Sequence, residues 1–166
     1  MDEVKELITD IQQGNIKPIY FLMGEEPYYI DKISEYIENN ILDETEKGFN
    51  QMVLYGYDAD IETIVSNAKR YPMMAERQVL IVKEAQELSR NIEKLADYAA
   101  NPQPSTVLVL NYKYKTIDKR KALYKAIFKT GLVFESKPLY ENKVPDWIRR
   151  VLQTKNYTIV PKASQI

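Results

Sequence analysis

Gly24, Glu25 and Glu26 are the first residues in the chain whose types and spacing could do chemistry. They lie between the apolar run Ile19 to Leu22 and Pro27, in the loop of a strand–loop–helix unit with proline at the first helical position. In an α/β protein such a loop holds phosphate, because backbone N–H groups of the loop and of the helix start converge on the anion. That chemistry needs more: a second glycine, then lysine and serine or threonine. Here two carboxylates occupy the place of the anion, so the unit has the shape of a nucleotide site without its charge. The helix dipole already accounts for adjacent carboxylates at a helix start, which leaves Glu25–Glu26 weak as an acid/base pair.

The chain has no cysteine and no histidine. Disulfides, thiolate nucleophiles, Ser-His-Asp systems and Cys/His zinc sites are therefore excluded, while carboxylate- or lysine-based chemistry remains open. A second group is Tyr71-Pro72-Met73-Met74, placed between a predicted short helix and a predicted buried strand. Adjacent residues on a turn do not easily both enter one core, and methionine adapts to irregular apolar pockets on partner surfaces. Two readings stay open: the pair caps the sheet, or it forms an apolar contact for a partner. A third group is basic: Lys113, Lys115, Lys119, Arg120, Lys121 and Lys125. Residues 1–62 hold 4 Lys/Arg and 15 Asp/Glu, a balance of −11, whereas residues 111–155 hold 12 and 4, a balance of +8. This asymmetry fits a basic face for DNA or an acidic partner; it also fits solvated helix faces, since the basic residues lack the interleaved aromatics of a single-strand platform.

The elements that must position these groups follow from periodicity. Val4, Leu7, Ile8 and Ile11 predict a helix over residues 2–13 with Gly14-Asn15 as its stop; Ile30, Ile33, Ile37 and Ile41 predict a second, running to about residue 41. Asp43 to Gly48 reads as a charged connection, and Asn50 to Tyr55 as a strand closed by Gly56. Asp60 caps a short helix that ends near Arg70, ahead of Pro72. Val79 to Val82 and Val107 to Leu110 are continuously apolar, the mark of strands covered on both faces. A helix around Ile92, Leu95, Ala96 and Ala99 lies between them; another around Ala122 to Ile127 precedes a last strand, Leu132 to Phe134. The expected architecture is α/β, a three-layer, mostly parallel sheet with right-handed crossovers. At 166 residues the chain is one ordinary domain, or one domain and part of another. The acidic N-terminus is unlike a secretory signal and no apolar run is long enough to span a membrane, so a cytoplasmic protein is expected.

Taken in order, PIYFLMGEEPYYI at 18–30, RQVLIVKEAQ at 77–86 and STVLVLNY at 105–112, after an N-terminal helix, resemble the N-terminal domain of the bacterial DNA polymerase III clamp-loader delta subunit. The resemblance runs over nearly the whole chain and implies a P-loop NTPase (AAA+) type fold with a degenerate nucleotide site. It divides the chain into a domain at 1–137, carrying a clamp-binding element, and the beginning of a helical lid-type domain at 138–166, where Tyr140, Val144, Trp147, Ile148 and Val151 predict a helix; the chain would then be an N-terminal fragment. In ATPases of this fold the third strand ends in acidic residues that hold magnesium, whereas here it ends Val82-Lys83-Glu84; Asn111 stands where a polar sensor is found, or is a turn residue. No cofactor, no metal and no catalytic step are expected of a subunit whose complex serves DNA synthesis. In the family an adjacent apolar pair just before the Arg-Gln that opens the third strand enters a pocket on the sliding clamp, and Met73-Met74, with Tyr71 and Pro72, stands at the matching place before Arg77-Gln78. Other loader subunits and DNA would be partners within the complex. Three rivals make different predictions. An enzyme would show a deep polar pocket at the carboxyl ends of the strands, a DNA-binding module one contiguous basic face, and an ATPase nucleotide-dependent stabilisation.

Overall fold

The apolar runs do become strands, and their mutual burial sets the architecture. The computed structural model describes residues 2–138. Helix α1 (Asp2–Gln12) leads into β1 (Ile19–Gly24), followed by α2 (Pro27–Asn40), α3 (Glu44–Asn50), β2 (Gln51–Tyr55), α4 (Ile61–Ala68) and β3 (Gln78–Lys83). Two 3-10 turns and α5 (Ala96–Ala100) lead to β4 (Thr106–Lys113), then α6 (Ala122–Thr130) and β5 (Leu132–Ser136). The strands form one sheet in the order β2-β3-β4-β1-β5, each neighbouring pair parallel. The connection from β1 leaves toward β2, whereas that from β4 crosses back over β1 to β5, so strand order reverses around β1.

Side chains alternate across the sheet. Ile19, Phe21, Met23, Leu80, Val82, Leu108 and Leu110 join Ile64, Leu95, Leu123 and Ile127 in one core cluster. The intervening residues Tyr20, Leu22, Ile81 and Val109 are equally buried, and α2, which brings Ile30, Ile33 and Ile37, packs across β4, β1, β3 and β5. Each fully buried aliphatic contributes on the order of 1.5–3 kcal/mol, which is why the three central strands, apolar on both faces, hold the fold.

Three expectations are corrected by the structure. The charged stretch at 43–48 is not a plain connection: Asp43 and Glu46 form a reciprocal capping box that starts α3, and Asn50 ends that helix instead of opening β2. The helix expected around Ile92 begins as a 3-10 turn, Ile92–Leu95, before α5. Strand β4 runs on to Lys113, so Asn111 is a buried strand residue and not a turn residue. The domain expected over 138–166, and its helix around Trp147, lie outside the described residues. Among the described residues no helix is long and apolar enough to cross a membrane.

Candidate functional site

In an open parallel sheet, ligands sit beyond the carboxyl ends of the strands where strand order reverses, here around β1 and β4. This chain fills that place with its own groups. The connection from β1 to α2 is two residues long, Glu25 and Glu26, and the Glu26 carboxylate accepts a hydrogen bond from the Tyr28 N–H at 3.1 Å, using a donor that would otherwise face an anion. Gly24, at φ +123°, donates its N–H to the Lys115 carbonyl at 3.0 Å and accepts from the Tyr114 N–H at 2.8 Å. A Cβ at Gly24 would run into the backbone of Ser136, so the turn is closed against the next strand.

Lys113, at the end of β4, reaches Asp31 of α2 at 2.8 Å and Glu84 at 3.3 Å, and its side chain is only 14% exposed. Burial pulls its ammonium toward neutrality, but the hydrogen bonds and charges of Asp31 and Glu84 more than offset this and raise its pKa. Lys83 pairs with Glu38 of α2 at 3.6 Å, and Asn111 donates to the Ser34 hydroxyl at 3.0 Å. Glu84 therefore meets a lysine, and among the described residues no group of three or more acidic side chains could hold a metal ion.

The opposite end of the sheet is built differently. Helix α4, capped by Asp60 on the Thr63 N–H at 2.8 Å, ends at Ala68, where Thr106 Oγ1 donates to the Ala68 carbonyl at 2.6 Å. Gln78 Nε2 lies within bonding distance of the Asn67, Ala68 and Arg70 carbonyls at 3.0, 3.3 and 2.7 Å, tying the first residue of β3 to the end of the helix. Between these anchors the chain runs out through Tyr71, Pro72, Met73 and Met74. Tyr71 is 77% exposed, Met73 55%, and Met74 stands wholly in solvent with its backbone in the left-handed region at φ +56°. Pro72 is half-buried. The loop is nonetheless held: Asn50 Oδ1 accepts from the Met73 N–H at 2.6 Å, and Asn50 Nδ2 donates to the Met73 carbonyl at 2.8 Å. A cavity of about 270 Å³ opens beside it, lined among others by Phe49, Asn50, Met52, Arg70, Met73 and Gln78. Phe49 is 76% exposed, so the apolar surface around Met73 includes a ring as well as the two thioethers.

A model of the family described as DNA polymerase III, delta subunit matches residues 20–137, which include both ends of the sheet. The chain belongs to the DNA polymerase III delta subunit family. The Bacillus subtilis (strain 168) DNA polymerase III subunit delta is 28% identical over 171 aligned positions, covering 98% of this chain and 49% of the relative. The Bacillus subtilis DNA clamp loader delta protein superposes with a TM-score of 0.73 at 26% identity, over 97% of this chain and 50% of that structure. The chain thus spans about half the length of the delta subunits it matches. A gamma subunit-related DNA polymerase III protein from Thermotoga maritima (TM-score 0.54, 16% identity, 91% of this chain and 49% of that one) shares the fold, as does a Thermotoga maritima RuvB mutant (0.51, 16%, 99% and 55%). The α/β fold is accordingly shared with all three of these structures.

The structure divides the predicted site residues into two groups. Tyr71 to Met74 stay together on one loop. The basic group does not stay together as free charge. Lys113 is turned into its pair of carboxylates, Lys115 lies 3.2 Å from the Ser89 hydroxyl, and Lys119 lies 3.7 Å from Glu135. Arg120 makes a two-point contact with Asp118 at 3.1 and 3.0 Å; these hydrogen bonds lower the Asp118 pKa to about 2 and raise that of Arg120. Lys121 and Lys125, at the start of α6, are exposed. Phe49, Asn50 and Gln78 were not singled out by sequence. Gln78 was visible only as part of the Arg-Gln opening a strand, and nothing local marks Asn50, whose partner is 23 residues away.

Proposed function

We propose that the chain is the clamp-engaging part of a clamp-loader delta subunit, docking the loop Tyr71–Met74 into an apolar pocket on a sliding clamp. The observation that carries this reading is that two adjacent methionine side chains stand in solvent while the loop backbone is held at Arg70 by Gln78 and at Met73 by Asn50. Exposed apolar side chains cost nothing to desolvate on the partner's side if the pocket is apolar, and each fully buried methionine contributes on the order of 1.5–3 kcal/mol. A loop that fits the open clamp better than the closed one shifts the clamp toward opening by that difference in affinity. Family membership, and the likeness to a clamp loader delta protein over nearly all of this chain, support the same reading.

On this reading the chain performs no catalytic step. Glu26 on the helix start and Lys113 between Asp31 and Glu84 leave the usual nucleotide position without a free anion site, so nucleotide turnover falls to other loader subunits. Those subunits, and DNA within the assembled loader, are the further partners, and a replication role places the protein in the cytoplasm.

The test is calorimetric titration of the chain into the sliding clamp of the same organism, beside a Met73→Ala/Met74→Ala double variant with an unchanged melting temperature. Binding by the parent and its loss in the variant is the expected result. Equal binding by both places the contact elsewhere on the chain. A folded parent that gives no heat at roughly 100 μM, a Kd range worth only about 5.5 kcal/mol, overturns the reading, and the exposed Lys121 and Lys125 would then be tried with DNA.

A further inference from the structure

The methionine pair has little of its own to hold it in place. Both side chains are exposed, and Met74 keeps a left-handed backbone that a residue with a Cβ does not adopt without support. Nine residues, 69–77, connect α4 to β3, and a connection of that length would sample many shapes.

We propose that Asn50 is the positioning residue of this loop: its buried carboxamide grips the Met73 backbone from both sides and fixes the shape in which Met73 and Met74 are presented. The inference rests on the clamp-docking reading above and names what prepares that site. Asn50 is 4% exposed at the end of α3, and its side chain is itself fixed, because Nδ2 also donates to the Glu46 carbonyl one helical turn back at 3.0 Å. Its oxygen takes the Met73 N–H at 2.6 Å and its remaining N–H hydrogen goes to the Met73 carbonyl at 2.8 Å. Both donor hydrogens of the carboxamide are thereby used. Both polar groups of one loop residue are thus satisfied by one side chain of a separate helix. Phe49, the neighbour of Asn50, lines the same cavity as Met73.

Asn50 need not touch the partner to matter. A loop that holds its binding shape only a fraction f of the time binds with Kd divided by f, and the loss falls on the association rate when the shape must form first. Two variants separate bonding from packing. Asn50→Ala removes all three hydrogen bonds. Asn50→Asp keeps the size and the acceptor for the Met73 N–H, but at neutral pH has no hydrogen to give the Met73 and Glu46 carbonyls.

The experiment combines amide hydrogen exchange at Met73 with clamp-binding kinetics on the whole chain. In the parent the Met73 amide exchanges slowly although its side chain is exposed. In Asn50→Ala its protection falls by about tenfold or more while β3 amides keep theirs, and in both variants clamp affinity falls about tenfold, mainly through slower association. Unchanged Met73 protection in Asn50→Ala overturns the inference. So does lost protection with parental clamp affinity, or parental affinity in Asn50→Asp, which would make the role one of shape alone. If the Met73→Ala/Met74→Ala variant loses the clamp but Asn50→Ala does not, the positioning role fails and the docking reading stands. If the folded parent itself does not bind the clamp, both fail.

Discussion

At the carboxyl end of the sheet, Gly24, Glu26 and Lys113 use their polar groups on neighbours within the chain, Lys113 on Asp31 and Glu84; at the amino end, the loop before β3 turns two methionines outward and satisfies only its backbone. Parallel α/β sheets ordinarily bind their ligand at the first of these ends. Here that end is stitched shut by hydrogen bonds from the β1–α2 turn to the ends of β4 and β5, and by a lysine lodged between two carboxylates. The amino end, usually an unremarked set of connections, carries the loop proposed above to dock on a clamp, with both its methionines exposed. On the proposed docking reading, one scaffold keeps its shape while its working face moves from a polar crevice to an apolar loop. What is retained in each case is a rigid backbone; what changes is whether the side chains are spent on the chain itself.

The contrast can be broken at either end. The largest effect is expected from Gly24→Ala, where a side chain must fit a φ of +123° and meets the Ser136 backbone. A loss of about 3 kcal/mol or more in urea-unfolding stability is expected; a change under about 1 kcal/mol would show that the carboxyl end is not tightly closed. Next is Met73→Ala/Met74→Ala, with clamp affinity about 100-fold weaker, equivalent to about 2.7 kcal/mol, and no shift in unfolding midpoint. A loss of stability equal to the loss of binding would place the pair in the core rather than on a free face.

Lys113→Met should cost roughly 1–2 kcal/mol, since it leaves Asp31 and Glu84 facing each other while both keep contact with water. The sign with pH follows from the raised lysine pKa. The ion-pair contribution is complete below the unfolded value of about 10.4 and fades as pH rises through the higher folded value. The stability gap between parent and variant should therefore be level from about pH 6 to 9 and narrow above about pH 10.5. A gap that widens with alkali would contradict this. The smallest effect concerns nucleotide: magnesium–ATP at millimolar concentration should leave the melting temperature unchanged, whereas a site filled at 100 times its Kd would add about 2.7 kcal/mol. A clear rise would reopen the carboxyl end as a binding site.

Much of this was legible beforehand because it depends on local pattern. Continuous apolar runs at Ile19–Leu22, Val79–Val82 and Val107–Leu110 can be satisfied only by strands covered on both faces, and these are the three central strands. Pro27 after Glu26, and Asp60 ahead of Ile61, announce their helices through capping chemistry within one turn. Helix α3 escaped notice because Glu44 to Asn50 has no apolar stripe; its capping box and the tertiary bonds of Asn50 hold it instead.

The sequence by itself determined the α/β class, the absence of thiol and imidazole chemistry, the unsuitability of the first loop for phosphate, and the position of a methionine pair ahead of a buried strand. Tertiary structure alone decided that both methionines face solvent, that Lys113 turns inward to Asp31 and Glu84, and that Asn50 holds the loop from 23 residues away. The division has a physical reason. Periodicity and caps act over one or two turns of chain, and a sequence displays them directly. Exposure and hydrogen bonding between distant segments exist only after crossovers have brought β2 and β3 side by side and left the methionines of the loop before β3 exposed among the described residues.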